Sequence, residues 1–393
     1  MSSNRPHATW SYPTSIRFGA GRVAELAEAC RVAGMRRPLI VTDPGLAELQ
    51  PLERIATVLR DAGIDSAVFS DLRPNPVGRD VETGVDAFRA GDHDGIVAVG
   101  GGSALDVGKV VAFMTGQLRP MWDFEDIGDN WTRADPERVA PVVAIPTTAG
   151  TGSEVGRAGV VIDEQTHRKV IIFHPSMLPR EVICDPELTV GLPRVLTVGT
   201  GIDALSHSLE AICAPGLHPM SHGIGIEGCR LVMAHLPRVV ADPTDLESRG
   251  QMLIAAAMGA VAFQKGLGGM HALSHPIGAR FNTHHGMTNA VVMPYVLVAN
   301  RDAITPTIER LAAYLDISGG FDGFVREIVA MRTAMDVPHT LVELGVDPAA
   351  IDEIAAAAIV DPSAAGNPLP FDRSFAESVF ASACSGELDI QEN

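Results

Sequence analysis

The chain has 393 residues, 46% hydrophobic and 20% charged, which describes a globular protein too long for one compact core and excludes a disordered one. Its 48 acidic residues outnumber 30 basic ones for a net charge of −18, which argues against nucleic acid or an anionic membrane surface as a partner. Cys30, Cys184, Cys213, Cys229 and Cys384 are odd in number, widely spaced and without a CxxC pair. They are expected as reduced thiols of a cytoplasmic protein, and they exclude a cysteine-based zinc site. The N-terminus MSSNRPHATW has no apolar h-region, and no run of about 18 apolar residues occurs anywhere.

In chain order, PLIVTD (38–43) reads as a buried strand and PLERIATVLRDAG (51–63) as a helix stopped by Gly63. SAVFS (66–70), a helical stretch near 78–90 and the strand GIVAVGG (95–101) follow. Strands alternating with helices predict βαβ units and a parallel sheet. PVVAIPTT, RAGVVID and KVIIF read as further strands, the last two compatible with a hairpin. From LPRVLTVGTGIDALSHSLEAI (192–212) onward the pattern turns helical: GIEGCRLVMAHL, RGQMLIAAAMGAVAF, TPTIERLAAYL, FDGFVREIVAMRTAM and IDEIAAAAIV all space apolar residues at helical period. The reading is an α/β domain over residues 1–190 and an all-α domain over 191–393, with no internal repeat and no low-complexity linker.

GGGSALDVGK (100–109) joins the strand GIVAVG to a helical run. Glycines there let the backbone approach a ligand, and the free amides of the following helix suit a pyrophosphate. Leu105 stands where GxGxxG has its third glycine, so by itself the segment reads equally as a tight strand-to-helix turn. PTTAGTGSE (146–154) sets Thr147, Thr148, Thr151 and Ser153 among small residues directly after a strand, which suits a ribose or phosphate. Asp43, at the end of an early strand, can accept from ribose hydroxyls and repel a 2′-phosphate, or can simply form a turn before Pro44.

Asp203 and His207 are spaced i, i+4 in a helical run, which puts both on one face, as either a hydrogen-bonded pair or half of a cation site. GGMHALSHPIGARFNTHHGM (268–287) then gathers His271, His275, His284 and His285. One carboxylate and three imidazoles make a sound site for a divalent transition metal, and without sulfur both Fe(II) and Zn(II) are admissible.

The motifs GGGS-x-x-D-x-x-K, PTTAGTGSE, TGIDALSH and HALSHPIG…HHG stand in one order, with the NP of RPNPVG and a DPELT-x-x-LP segment, over residues from about 38 to 290. In these the chain resembles the iron-containing (group III) alcohol dehydrogenase family. The resemblance implies a Rossmann-like α/β N-terminal domain followed by an all-α C-terminal domain, an architecture shared with dehydroquinate synthase, with the active site in the cleft between them. Residue by residue, Asp203, His207, His271 and His285 resemble the family's four metal ligands. His275 matches a histidine beside the nicotinamide and substrate, and His284, which matches no essential position, reads as an accessory residue at the mouth of the site. Asp43, Asn75, Gly101, Gly102, Ser103, Asp106, Thr147, Thr148, Thr151 and Lys169 match positions that contact the nucleotide. The stretches around Val198 and Gly199, HPMSHGIGIEG and FQKGLG depart from the common family pattern, which bears on the substrate and not on the reaction class.

The implied activity is reversible hydride transfer between a primary alcohol or hydroxy acid, or its aldehyde or semialdehyde, and NAD, with Fe(II) (or zinc) as Lewis acid and His275 in the proton relay. A cytoplasmic homodimer or larger homo-oligomer is expected, with SIRF (15–18) as a candidate pairing edge. Two rivals share the fold: a non-redox metal- and nucleotide-dependent enzyme and a metal-independent maleylacetate-type reductase. A non-catalytic metal sensor would need neither GGGS nor Asp106. Lys265, six residues before His271, is a candidate partner for a substrate carboxylate, or a lysine that snorkels to solvent or touches the cofactor.

Overall fold

The computed structural model describes residues 8–10, 14–166 and 168–390, so most of the N-terminal decapeptide discussed above lies outside them. The chain divides into two compact units, Met1–Leu192 with Thr244–Leu253 and Pro193–Pro243 with Ile254–Asn393.

The first unit contains, in order, β1 (Ala8–Trp10), β2 (Ser15–Phe18), α1 (Leu26–Ala33), β3 (Pro38–Val41), α2 (Pro44–Ala47), α3 (Gln50–Asp61), β4 (Ala67–Phe69), α4 (Gly78–Ala90), β5 (Gly95–Gly100), α5 (Gly102–Met114), β6 (Val142–Pro146), β7 (Ala158–Asp163), β8 (Arg168–Phe173) and β9 (Glu181–Cys184). Seven strands form one sheet in the order β1-β2-β9-β6-β5-β3-β4, parallel throughout except for the β1–β2 pair. Every residue of β3, β5 and β6 is buried, which is why these strands read as unbroken apolar runs: a parallel sheet is covered on both faces. β7 and β8 pair apart from it as an antiparallel hairpin.

SIRF is not an edge. As β2 it lies between β1 and β9, and the buried Arg17 in its middle pairs with Glu181 at 2.9 Å and Glu25 at 2.9 Å. The sequence reading passed over β9, because EVIC is four residues long and opens on a glutamate. The DPELT segment that follows it has a structural explanation. Asp185 is fully buried and accepts from the backbone N–H groups of Gly21 (3.1 Å), Val23 (3.0 Å) and Glu187 (3.0 Å), so it ties the turn before α1 to the end of β9. Leaving those buried donors unmet would cost about 1–3 kcal/mol each.

The second unit is helical: α6 (Arg194–Cys213), α7 (Pro219–Ala241), α8 (Leu246–Ala262, whose first turns belong to the first unit), α9 (Gly269–Phe281), α10 (His285–Ala299), α11 (Arg301–Tyr314), α12 (Gly320–Ala334), α13 (Ile351–Ala358) and α14 (Arg373–Ser385). α6 is its centre. Residues 201–212 of it are all buried, and α7 and α10 pack along it. α9 and α10 each carry an internal proline, and α9 ends at Asn282 in the left-handed region (φ 52°). Among the described residues no single helix is long and apolar enough to cross a membrane.

Candidate metal centre and nucleotide loops

A helix buried all round has no water for its polar side chains, so Asp203 and His207 on α6 need a polar partner inside the protein. Asp203, His207 and His271, all buried, bring one ligand atom each within 4.8 Å of one another. Three imidazoles converge on one carboxylate oxygen: Nε2 of His207, His271 and His285 lie 3.9, 3.8 and 3.5 Å from Asp203 Oδ1. His285, the first residue of α10, stands on the open side with 27% of its side chain exposed. The His207 and His271 rings stack at 4.7 Å between centroids.

The polar groups around this set hold it in place. Glu210, one turn beyond His207 on α6, accepts from His271 Nδ1 at 2.6 Å and, through its other oxygen, from Met270 N at 2.6 Å. That fixes the His271 ring with Nε2 toward Asp203. Burial works against a charge on His271, but the Glu210 and Asp203 carboxylates outweigh it and hold its pKa above the ordinary value. Asn289, one turn after His285, donates to Asp203 Oδ1 at 2.8 Å and lies 3.2 Å from His285 Nε2.

The two helices meet through glycines. A Cβ on Gly286 would lie 2.1 Å from the Gly199 carbonyl oxygen, and one on Gly199 would lie 2.7 Å from His284 Cε1. The first turn of α10 is thus pressed against the backbone of α6, which explains the glycine in HHG. His284, expected as an accessory residue at the mouth of the site, is the N-cap of α10, its Nδ1 accepting from Met287 N at 3.3 Å.

These residues fit a metal ion. Atoms that share one ion at about 2.0–2.2 Å stand about 3–4 Å apart, and the 3.5–3.9 Å separations fall there, beyond hydrogen-bond range. One oxygen and three nitrogens without sulfur form a donor set for a divalent transition metal.

Two neighbours border the cluster. His275, one turn after His271 on α9, stacks on His285 at 15° and 5.4 Å between centroids, and its Nδ1 lies 2.8 Å from Asp361 Oδ2. Asp361 escaped the sequence reading because IVDPS looks like an ordinary turn. Phe263 packs on His207 at 5.1 Å between centroids, while Lys265, two residues on, donates to the Ile212 carbonyl at 3.3 Å in the last turn of α6.

In the first unit, three adjacent parallel strands carry the remaining candidates at their C-terminal ends: Asp43 after β3, Gly101, Gly102 and Ser103 after β5, and Thr147, Thr148 and Thr151 after β6. The chain leaves β3 for β4 on one side and returns to β5 on the other, a reversal of strand order of the kind at which open α/β sheets bind ligands. The two loops touch, since a Cβ on Gly102 would lie 2.6 Å from Thr151 Cγ2. Asp43 caps α2 with Oδ1, accepting from Leu46 N at 2.9 Å, and its Oδ2 lies beside Gly100. Ser103 Oγ donates to the Pro74 carbonyl, next to Asn75, and Ile162, which pairs with Lys169 across the β7–β8 hairpin, donates to the Pro76 carbonyl at 2.8 Å.

Asp106 is differently placed. Its oxygens accept from Ser153 Oγ at 2.5 Å and Val160 N at 3.0 Å, with Lys109 Nζ at 3.3 Å. It braces the PTTAGTGSE loop from within. Lys109, fully buried, also donates to the carbonyls of Ser153 (2.9 Å) and Ala158. Beside it Glu154 is 2% exposed, its Oε1 has no hydrogen-bond partner, and burial pushes its pKa up to about 7 against the smaller opposing effects of a backbone N–H and Lys109.

Residues 13–186 match the family described as iron-containing alcohol dehydrogenase, and residues 197–384 match the C-terminal part of the same family. The chain belongs to the iron-containing alcohol dehydrogenase family. It is 37% identical to a 4-hydroxybutyrate dehydrogenase of Cupriavidus necator, over 91% of this chain and 94% of that one. It is 35% identical to an NAD-dependent methanol dehydrogenase of Bacillus methanolicus, also over 91% of this chain and 94% of the relative. Among solved structures, a 1,3-propanediol oxidoreductase superposes with a TM-score of 0.90 at 30% identity, covering 96% of this chain and 99% of that one. Membership makes the chain an NAD-dependent oxidoreductase acting on CH–OH groups, and the family implies NAD and a divalent metal.

Two predictions follow from the geometry. His271→Ala or His285→Ala, read by metal analysis and calorimetry, loses at least tenfold in metal affinity, whereas His284→Ala loses only a helix cap, about 1 kcal/mol, and keeps the metal. The reverse order of effects would move the site by one residue. Glu154 has a folded pKa raised from the ordinary 4.5 to about 7, so its contribution is fully present below pH 4.5 and is lost as pH rises through 7. Glu154→Gln is therefore more stable than wild type by about 1–3 kcal/mol at pH 8, with the difference shrinking toward pH 5, as read by denaturant melts. A pH-independent difference would contradict the assignment.

Proposed function

We propose that the chain catalyses reversible, NAD-linked oxidation of a primary alcohol or ω-hydroxy acid, with a ferrous ion, or zinc, held by Asp203, His207, His271 and His285. The convergence of three imidazole Nε2 atoms on Asp203 Oδ1 carries this reading. The metal supplies Lewis-acid polarisation of the substrate oxygen, and NAD accepts the hydride. Gly101, Gly102 and Ser103 offer backbone amides at the N-terminus of α5 to the pyrophosphate. Thr147, Thr148 and Thr151 supply hydroxyls beside them, Asn75 and Lys169 contribute further contacts to the nucleotide, and Asp106 holds that loop in place. His275 takes up the alcohol proton. The five unpaired thiols suit a reducing cytoplasm.

Asp43 favours NAD over NADP, because a carboxylate that accepts from a 2′-hydroxyl repels a 2′-phosphate. The expected preference in kcat/KM is about tenfold or more and narrows in Asp43→Gly. Equal efficiency with both cofactors would contradict it.

An ω-hydroxy acid is favoured by Lys265 and by the similarity to a 4-hydroxybutyrate dehydrogenase. Only one of the ammonium's three donors is given to the Ile212 carbonyl, and that carbonyl lies five residues, about 7–8 Å of helical rise, beyond His207. Lys265→Met is expected to raise KM for 4-hydroxybutyrate about tenfold and leave 1-butanol nearly unchanged, through loss of a charge-assisted hydrogen bond. A wild-type enzyme that oxidises simple alcohols far better than any hydroxy acid would contradict this substrate class.

A further inference from the structure

Asp361 stands between α13 and the short turn Pro362–Gly366, and both of its oxygens are engaged. Oδ1 accepts from Ser363 N at 2.8 Å, capping the turn, and Oδ2 lies 2.8 Å from His275 Nδ1. Its side chain is 11% exposed, and among the described residues its ion-pair partner is His275 and not an arginine or lysine. A largely buried carboxylate whose partner is one imidazole is in an arrangement that does more than end a turn: the cap alone needs one oxygen and no charge.

We propose that Asp361 is the positioning residue for His275, fixing the tautomer and orientation in which that ring can take up the substrate's proton. The inference rests on the reading of His275 as the proton relay. An ionised carboxylate only accepts hydrogen bonds, so His275 presents Nδ1–H to it, and the neutral ring carries its lone pair on Nε2, the nitrogen on the far edge. Stacking on His285 at 15° restrains the ring plane, and the bond to Asp361 restrains rotation within it. When the alcohol is oxidised, its hydride goes to NAD and its hydroxyl proton passes to His275 Nε2. The Asp361 charge then faces the imidazolium that results. Ser363, whose amide N–H is held by Oδ1, keeps the carboxylate from turning away.

Asp361→Asn separates this role from capping. Asparagine is as good an N-cap as aspartate, so its oxygen keeps Ser363 N and the turn survives. Its amide nitrogen then faces His275 Nδ1, which must become an acceptor, and the ring proton moves to Nε2 where the lone pair is needed. The test uses the full-length, zinc-loaded protein with 15N-labelled histidine, assigned against His275→Ala, together with steady-state kinetics. The expected result is a kcat lowered at least about a hundredfold, KM within about threefold, unchanged metal content and melting temperature, and a His275 Nδ1 resonance that changes from the protonated to the bare type. Asp361→Asn with kcat within about threefold of wild type, or with Nδ1 still protonated, overturns the inference. Failure of the relay reading itself looks different: His275→Ala then keeps wild-type kcat although the tautomer switch in Asp361→Asn is observed, and the inference falls with it.

Discussion

From residue 201 to 212 α6 is surrounded by protein, yet it presents a carboxylate, an imidazole and a second carboxylate inward from Asp203, His207 and Glu210, all at most 5% exposed. Among the described residues no lysine or arginine pairs with these two buried acids, which would be strongly unfavourable unless other groups compensated them. The surrounding elements supply that compensation. α9 brings His271 to both acids at once, α10 begins with His285 beside Asp203, and Asn289 reaches back one turn later to the same oxygen. The glycine contacts between α6 and α10 follow from this requirement: only a bare backbone at Gly199 and Gly286 lets the two helices approach closely enough. A divalent cation, proposed to bind among these groups, would complete the charge balance that the helix packing leaves open.

The first unit applies a similar economy to its loops. The glycine loop after β5 and the threonine loop after β6 are built of small or hydroxylated side chains, so the loops depend on bracing from below. Asp106, Lys109 and Ser153 provide it, with Glu154 alongside, its pKa pushed up to about 7 by burial. The motif residues therefore divide into those that line the sheet's C-terminal edge and those that keep that edge in shape.

Much of this was legible in the sequence, for identifiable reasons. Parallel strands buried on both faces announce themselves as apolar runs, and i, i+4 spacing on a helix announces a shared face, so the α/β-then-α fold and the Asp203–His207 pair could be read directly. β9, four residues long, carried no period to read, and the position of β2 inside the sheet follows from its pairing with β1 and β9, which is a long-range contact. α9 and α10 were hidden by their glycines, prolines and histidines. Glu210 and Asp361 were invisible for a different reason. Each acts through a hydrogen bond to a residue 61 or 86 positions away. The spacing of Glu210 from Asp203 and His207 puts it on their helix face, but its partner His271 is a long-range contact, and Asp361 stands in no spaced motif. His284 looked like a spare histidine because capping depends on where a helix begins, which in this chain is set by Gly286 against Gly199.

The central proposal is that one oxygen from Asp203 and three imidazole nitrogens, carried on the three helices α6, α9 and α10, define a single metal site free of sulfur. X-ray absorption spectroscopy of the metal-reconstituted full-length protein tests it most directly. The account predicts a first shell of nitrogen and oxygen only, at about 2.0–2.2 Å, with outer-shell scattering that fits three imidazoles and loses one of them in His285→Ala. A sulfur shell near about 2.3 Å, or an unchanged imidazole count in that variant, would contradict it.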